Sequence, residues 1–170
     1  SGSPDDHDDR PQQVIDYTSF QSGAESDAYD AVYVATPNHT HLEHITAATR
    51  LGKDVLCEKP MAATVDQARE IRQQCDDADV TLMLGNRIQF KPTIRYLRCA
   101  IRDGLLGTPV HVHGGTSFDV LHRGGTDQWR LDPDAGGGAL LDIGIYPLNT
   151  IRFLLDTDVT PRSAAWSTTE

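Results

Sequence analysis

Three short, largely apolar runs divide the first half of the chain. They span residues 31–35, 54–57 and 80–84, and each is bounded by polar residues or by residues typical of turns. Apolar runs of this length are typical of strands buried in a parallel sheet. The pattern therefore predicts three short buried strands.

Helical patterns fill the two gaps between these runs. Apolar residues recur at helical spacing, at Leu42, Ile45 and Ala48 in the first gap and at Ala68, Ile71 and Cys75 in the second. Gly52 is expected to end the first helix, and Thr64 with Gln67 three residues later is a capping box that begins the second. Strands that alternate with helices at this spacing predict right-handed crossovers and a parallel sheet.

The pattern changes after Gly85. A helix is expected from Pro92 until Gly104, and residues 110–113 alternate between apolar and polar as a half-exposed strand does. Residues 119–135 have no periodicity and are expected to form a long loop. Residues 139–155 have a helical pattern interrupted by Pro147.

The predicted fold class is α/β. A partial Rossmann parallel sheet is followed by the start of an α+β domain with an open, mostly antiparallel sheet. We place the boundary near Arg87, which gives an incomplete dinucleotide-binding domain over residues 1–87 and an incomplete substrate and oligomerisation domain over residues 88–170.

The composition is acidic. Asp and Glu number 25 against 15 Lys and Arg, for a net charge of -10, and such a surface repels nucleic acid. Asp predominates and lysine occurs three times, which is typical of salt-adapted proteins, although an ordinary acidic enzyme is the alternative. The mean hydropathy is -0.42 and the first residues do not resemble a signal peptide, so we expect a cytoplasmic protein without membrane contact.

Neither the cysteines nor the histidines predict a metal site. The three cysteines, Cys57, Cys75 and Cys99, are widely spaced, so we expect small core residues in a reducing compartment. His39, His41 and His44 lie close together, but no carboxylate or cysteine completes a familiar ligand set. We expect these histidines to face solvent or substrate.

Lys59 and Tyr146 are the candidate catalytic residues. Oxidising an alcohol by hydride transfer requires a group that takes the hydroxyl proton. Lys59 follows the second strand, at the edge where open α/β sheets place ligands, and an ammonium beside a phenol stabilises the phenolate. Asp142 lies four residues before Tyr146, so both side chains can reach one hydroxyl group from a helix. Taken singly, Glu58-Lys59 is more often an exposed ion pair and Tyr146 a core aromatic.

Three motifs together resemble one enzyme family. They are Thr36-Pro37-Asn38-His39-Thr40-His41, Val55-Leu56-Cys57-Glu58-Lys59-Pro60-Met61 and Gly136-Gly137-Gly138-Ala139-Leu140-Leu141-Asp142-Ile143-Gly144-Ile145-Tyr146. In order and spacing they resemble the Gfo/Idh/MocA oxidoreductases over about residues 30–155. Tyr146, where other branches carry histidine, is similar to the branch of glucose-fructose oxidoreductase and the xylose dehydrogenases.

The resemblance implies an NAD(P)-dependent oxidoreductase that oxidises an aldose of the xylose or glucose type at C1. An enzyme that keeps NADP bound and shuttles hydride between two sugars is an alternative. A noncatalytic sugar-binding or regulatory module of the same fold is another. The resemblance also implies a homo-oligomer that pairs through its open sheet face.

The resemblance further implies a role for individual residues. Lys59 lies between nicotinamide and sugar, Tyr146 carries the proton, Asp142 contacts the substrate, and the Lys59-Pro60 peptide is cis. The implied cofactor contacts are Thr36, Pro37, Asn38, His41, Glu58, Lys59, Arg87, Trp129, Arg130, Ser1 and Ser3. Ser1 and Ser3 stand where NAD-preferring enzymes carry an acid, which favours NADP, with NAD possible.

The first strand of the family and its Gly-x-Gly-x-x-Gly phosphate-binding turn have no counterpart in this sequence. That turn supplies the backbone N–H groups that bind the pyrophosphate. We therefore expect the sequence to be part of a longer protein.

Overall fold

A computed structural model describes residues 17–23, 26–125 and 128–167. Its helices are α1 Tyr17–Ser22, α2 His41–Arg50, α3 Val65–Asp77, α4 Pro92–Arg102, α5 Val120–Gly124 and α6 Ile145–Leu155, and its strands are β1 Ala31–Val34, β2 Asp54–Cys57 and β3 Leu82–Leu84. Short 3-10 helices occur at Ser26–Ala28, Asn38–Thr40, Arg87–Phe90 and Trp129–Leu131, and Leu140–Gly144 is π-helical. Within these ranges, no helix has the length and apolar character needed to cross a membrane.

The three strands form a parallel sheet in the order β1-β2-β3, as predicted. Ala31 lies opposite Asp54, and Val55 lies opposite Leu82. The carboxyl ends of all three strands therefore meet at one edge of the sheet. Thr36 and Glu58 follow two of those ends.

Helices α2 and α3 cover one face of the sheet. The buried residues between them and the strands are Val34, Ile45, Ala48, Val55, Cys57, Ala62, Ile71 and Cys75. Removing this apolar surface from water is the main force that holds the layers together. Thr46 also donates a 2.7 Å hydrogen bond to Gln74, which fastens α2 to α3.

The other face of the sheet is exposed, and here the prediction of fully buried strands is wrong. Tyr33, Leu56 and Met83 are neighbours across the strands and are 58%, 37% and 46% exposed. Only one layer of helices packs on the sheet in the part of the chain that the structure describes. Alternate side chains of each strand therefore remain accessible.

Helix ends follow the predicted residues. Thr64 Oγ1 accepts a 3.2 Å hydrogen bond from the backbone N–H of Gln67, which confirms the first half of the capping box. The return bond of the capping box, from the Thr64 backbone N–H to the Gln67 side chain, is not formed. Gln67 Oε1 is buried without a hydrogen-bond partner among the described residues. Gly52 after α2 and Gly104 after α4 have positive φ angles of 63° and 75°, which glycine adopts without strain.

The second half departs from prediction in three places. Residues 110–113 form no strand, because none of the described segments pairs with their backbone, and Val110 is 97% exposed. Residues 119–135 are not a plain loop, since α5 and a 3-10 helix lie within them. Cys99 is exposed on α4, whereas Cys57 and Cys75 are buried as expected.

The helix predicted over residues 139–155 is confirmed in two parts, a π-helical turn followed by α6. Pro147 is the third residue of α6. Because the backbone is helical on both sides of Gly144, Pro147 lies inside a continuous helical stretch, directly after its π-helical turn.

Candidate active site

An open cavity of about 610 Å³ lies at the carboxyl edge of the sheet. It is lined by Ala35, Thr36, Pro37, Asn38, Glu58, Lys59, Arg87, Phe118, Trp129, Arg130, Asp142, Ile143 and Tyr146. Its volume falls in the usual range for small-molecule sites, and its position is the one where open α/β sheets bind ligands.

Lys59, Asp142 and Tyr146 converge on this cavity. The Lys59-Pro60 peptide after β2 is cis, as expected. The Lys59 ammonium donates to the backbone carbonyl of Asp142 and lies 3.4 Å from Asp142 Oδ1. It also lies 4.6 Å from the centroid of the Tyr146 ring, on the ring face. Lys59 is therefore in contact with both of the other candidate catalytic residues.

Asp142 has a second cationic partner in Arg130. Arg130 Nε lies 3.3 Å from Asp142 Oδ2, and the guanidinium lies over the Trp129 ring at 4.7 Å from its centroid. One carboxylate oxygen thus faces Lys59 and the other faces Arg130. The side chains of Lys59 and Asp142 are only 11% and 14% exposed.

Gly136, Gly137 and Gly138 form the glycine turn before Asp142. This turn lies close to the segment that carries Ala63 and to the 3-10 helix that carries Arg130. A Cβ on Gly136 would lie 2.7 Å from Ala63 Cβ, and Gly136 has a positive φ of 75°. A Cβ on Gly137 would lie 2.5 Å from the carbonyl oxygen of Arg130. Both distances are shorter than side chains tolerate, so these positions require glycine.

The turn after β1 forms the opposite wall. Asn38 is buried and donates a 2.8 Å hydrogen bond to the carbonyl oxygen of Gly136. Thr40 Oγ1 donates a 2.8 Å hydrogen bond to the Pro37 carbonyl oxygen and lies 2.8 Å from Thr36 Oγ1. These bonds hold Thr36, Pro37 and Asn38 against the cavity, where the resemblance places cofactor contacts.

His41 is fully buried and does not line the cavity. Its Nε2 lies 2.9 Å from the Thr36 carbonyl oxygen and its Nδ1 lies 3.0 Å from that of Pro60. His41 has no accessible surface, so it does not face the cavity and is not among the contacts proposed for the cofactor. It instead joins the turn after β1 to the segment that carries Lys59.

The other histidines and Cys57 have structural surroundings. His39 Nδ1 lies 3.4 Å from the Ala135 carbonyl oxygen, and His44 Nδ1 lies 2.7 Å from Tyr17 Oη. Burial, and then the charge of Glu58, raises the pKa of the Cys57 thiol to about 12, so this thiol is unreactive near neutral pH. No group of three metal-ligating side chains occurs in the described ranges.

Glu58 is held by a residue that the sequence did not single out. Tyr33 Oη donates a 2.6 Å hydrogen bond to Glu58 Oε1, and the Lys59 backbone N–H donates to Oε2 at 3.2 Å. The hydrogen bond to Glu58 is the largest cause that raises the pKa of Tyr33. A Cβ on Gly85 would lie 3.3 Å from the carboxyl carbon, so glycine leaves room for this carboxylate.

The sequence did not single out every residue of the cavity wall. Phe118 lies in no motif that indicated a site, and Ile143 lies within the third motif but was not named as a site residue, yet both line the cavity. Phe118 follows a stretch without assigned secondary structure, which gave no periodic signal. Ser1 and Ser3 lie outside the described residues.

Two family models cover nearly the whole chain. One, described as an oxidoreductase family with an NAD-binding Rossmann fold, matches residues 9–86, and the other, described as the GFO/IDH/MocA C-terminal domain, matches residues 94–170. The chain belongs to the Gfo/Idh/MocA oxidoreductase family. Lys59 and Tyr146 come from the two different matched segments of this family, and the cavity lies where those segments meet.

Several members of the Gfo/Idh/MocA family are similar to this chain. It is 48% identical over 149 residues to a D-xylose 1-dehydrogenase [NADP(+)] of Haloarcula marismortui, across 86% of this chain and 41% of the relative. It is 37% identical over 142 residues to D-xylose 1-dehydrogenase (NADP(+)) 2 of Haloferax volcanii, across 83% and 42%. The chain thus spans about two fifths of these relatives.

A solved structure of the family has the same fold over most of the chain. It is an aldose-aldose oxidoreductase from Caulobacter crescentus complexed with glycerol, which is 40% identical with a TM-score of 0.71. The match covers 82% of this chain and 41% of that one.

Proposed function

We propose that this chain provides the catalytic cleft of an NADP-dependent dehydrogenase that oxidises an aldose of the xylose or glucose type at C1. The convergence of Lys59, Asp142 and Tyr146 on one cavity carries the proposal. The similarity to two NADP(+) xylose dehydrogenases supports the substrate class and the cofactor.

The cavity suits a nicotinamide dinucleotide. Arg87 and Arg130 supply positive charge for phosphates, and Trp129 offers a flat aromatic face. The proposed contacts are Thr36, Pro37, Asn38, Glu58, Lys59, Arg87, Trp129 and Arg130. When bound, the nicotinamide accepts the hydride from C1 of the sugar.

Tyr146 is proposed to take the proton of the C1 hydroxyl group. Loss of that proton together with the hydride converts the cyclic hemiacetal into a lactone. The Lys59 ammonium lies 4.6 Å from the centroid of the Tyr146 ring and holds the phenol at the cavity wall through a cation–π contact. Asp142 balances the lysine charge and orients its amine.

A second candidate is an enzyme that keeps its cofactor bound and transfers hydride from one sugar to another. The 40% identity to the aldose-aldose oxidoreductase favours it. The residues that handle the proton are the same in both candidates, so they differ only in whether the cofactor leaves.

The decisive assay incubates the intact protein with added NADP and a panel of aldoses at high salt, and follows reduced-nicotinamide absorbance. Growth of signal with xylose or glucose supports the dehydrogenase, and signal limited to a pre-bound cofactor supports the second candidate. Lys59→Ala should abolish the signal, whereas the matched variant Lys53→Ala should retain it. No signal with every sugar would overturn both candidates and favour a noncatalytic module.

We also propose that the protein works as a homo-oligomer in the cytoplasm. The three cysteines are free, which suits a reducing compartment, and the family resemblance supports pairing through an open sheet face. Light scattering after size-exclusion chromatography tests the assembly, and a monomeric mass would refute it.

A further inference from the structure

Arg130 is held through both its backbone and its side chain. Its carbonyl oxygen accepts a 2.9 Å hydrogen bond from the Gly138 N–H. Its guanidinium lies on the Trp129 ring, a contact that restricts the orientation of an arginine fork. Although Arg130 is 42% exposed, these contacts fix the direction of its Nε.

The same glycine turn fixes Asp142. The Gly138 carbonyl oxygen accepts a 3.0 Å hydrogen bond from the Asp142 N–H. Backbone hydrogen bonds therefore tie Arg130 and Asp142 to one residue, Gly138. The side-chain ion pair between Arg130 and Asp142, at 3.3 Å, is a second and direct link between these two residues.

The Asp142 carboxylate lies between Arg130 and Lys59, so the contact of Arg130 with the carboxylate affects how the carboxylate meets the lysine. Its two oxygens face the two cations at 3.3 and 3.4 Å. The side chains of Lys59 and Asp142 are little exposed, so water and salt screen the attraction between them only weakly. The position of the carboxylate between the two cations depends on both partners.

We propose that Arg130 is a positioning residue for Lys59, which acts by fixing the Asp142 carboxylate against the lysine ammonium. This role is separate from the proposed contact of Arg130 with the cofactor. It rests on the proposed function for the part that Lys59 plays in turnover. The geometric claim itself can be tested without turnover.

Replacing Arg130 by an uncharged residue removes one of the two groups that hold the Asp142 carboxylate. The carboxylate is then held by Lys59 alone and can turn away from it, so the lysine amine should react faster with reagents. Loss of a nearby positive charge by itself would slow that reaction, so the sign of the change separates positioning from charge. The other groups of the cavity wall that carry or change charge are Glu58, Arg87 and Tyr146, and the substitution leaves them in place.

The test is competitive acetylation of the intact protein with acetic anhydride at one fixed pH, read by mass spectrometry. The chain has three lysines, so Lys53 and Lys91 serve as internal standards. In Arg130→Gln the labelling rate of Lys59 relative to these standards should rise severalfold, because its ammonium is no longer held by a fixed carboxylate. Arg72→Gln, which removes an exposed arginine paired with Asp76, should leave the relative rate unchanged.

The Asp142→Asn background separates positioning from other roles. There the effect of Arg130→Gln on Lys59 should be much smaller than in the wild type. An equal rise in the labelling rate in both backgrounds, or no rise in the wild-type background, would overturn the proposal. So would a variant that only raises the KM for cofactor, because Arg130 would then be a ligand contact alone.

Two further readouts keep the outcome unambiguous. Arg130→Lys retains the charge without the planar fork and should give a smaller rise in the labelling rate of Lys59, which carries the test if Arg130→Gln does not fold. A wild-type protein that oxidises no sugar would defeat the proposed function and leave the labelling result standing.

Discussion

Asn38 donates a hydrogen bond from Nδ2 to the carbonyl oxygen of Gly136, 98 residues further along the chain, at 2.8 Å. The bond joins the turn after β1 to the glycine turn that precedes Asp142. The two opposite walls of the cavity are thus connected by one buried amide. Its loss should affect both stability and cofactor binding.

Asn38→Ala should lower the free energy of unfolding by about 1–3 kcal/mol, since it leaves a buried carbonyl without its partner. Urea unfolding followed by circular dichroism measures this change. Asn149→Ala, a substitution of a half-buried asparagine on α6, is the matched control. Equal stability of Asn38→Ala and the wild type would show that water replaces the bond.

Tyr146→Phe should lower kcat about 10²–10⁴-fold, the usual range for loss of a general acid or base. The ring remains, so the Lys59 contact is preserved and the KM for cofactor should not change. Steady-state kinetics with xylose and NADP give both constants. Tyr96→Phe, on an exposed ring of α4, should behave as the wild type. Unchanged turnover in Tyr146→Phe would refute the proton-transfer assignment.

Tyr33 should make the stability depend on alkaline pH. The Glu58 hydrogen bond raises the pKa of Tyr33 above its ordinary 10.0. Its contribution is therefore complete below about pH 10 and is lost as pH rises through the raised pKa of Tyr33. Thermal midpoints measured from neutral to alkaline pH should fall less steeply in Tyr33→Phe than in the wild type. Parallel curves would contradict a stabilising role of this bond.

The acidic composition predicts stabilisation by salt. Raising KCl from about 0.1 M to about 1 M shortens the Debye length from about 10 Å to about 3 Å and screens the repulsion within a chain of net charge -10. The thermal midpoint of unfolding should therefore rise. A constant or falling midpoint would favour the alternative of an ordinary acidic enzyme.

Local sequence patterns predicted much of the first half, because short apolar runs and helix-ending glycines act within a few residues. β2 has the expected bounds, and Gly52 and Gly104 end their helices as expected. The strand expected at residues 110–113 was wrong, since a strand also needs a partner that its own sequence does not specify.

The candidate site was predictable where a motif named its residues, as for Lys59 and Tyr146. The contacts around Glu58 and Asp142 were not predictable. Tyr33 reaches Glu58 only because strand register brings their side chains together, and Arg130 reaches Asp142 only because glycines let their segments approach. Pairs distant in sequence leave no periodic signal in either partner.

The π-helical turn at Leu140–Gly144 makes the geometry of the cavity depend on the number of residues in this part of the chain. A π turn holds one residue more than an α-helical turn, so a one-residue deletion there would give a more regular helix. It would also rotate the preceding residues by about 100° relative to α6. Asp142 would then turn away from Lys59 and Tyr146, so a deletion that favours the helix would dismantle the cleft.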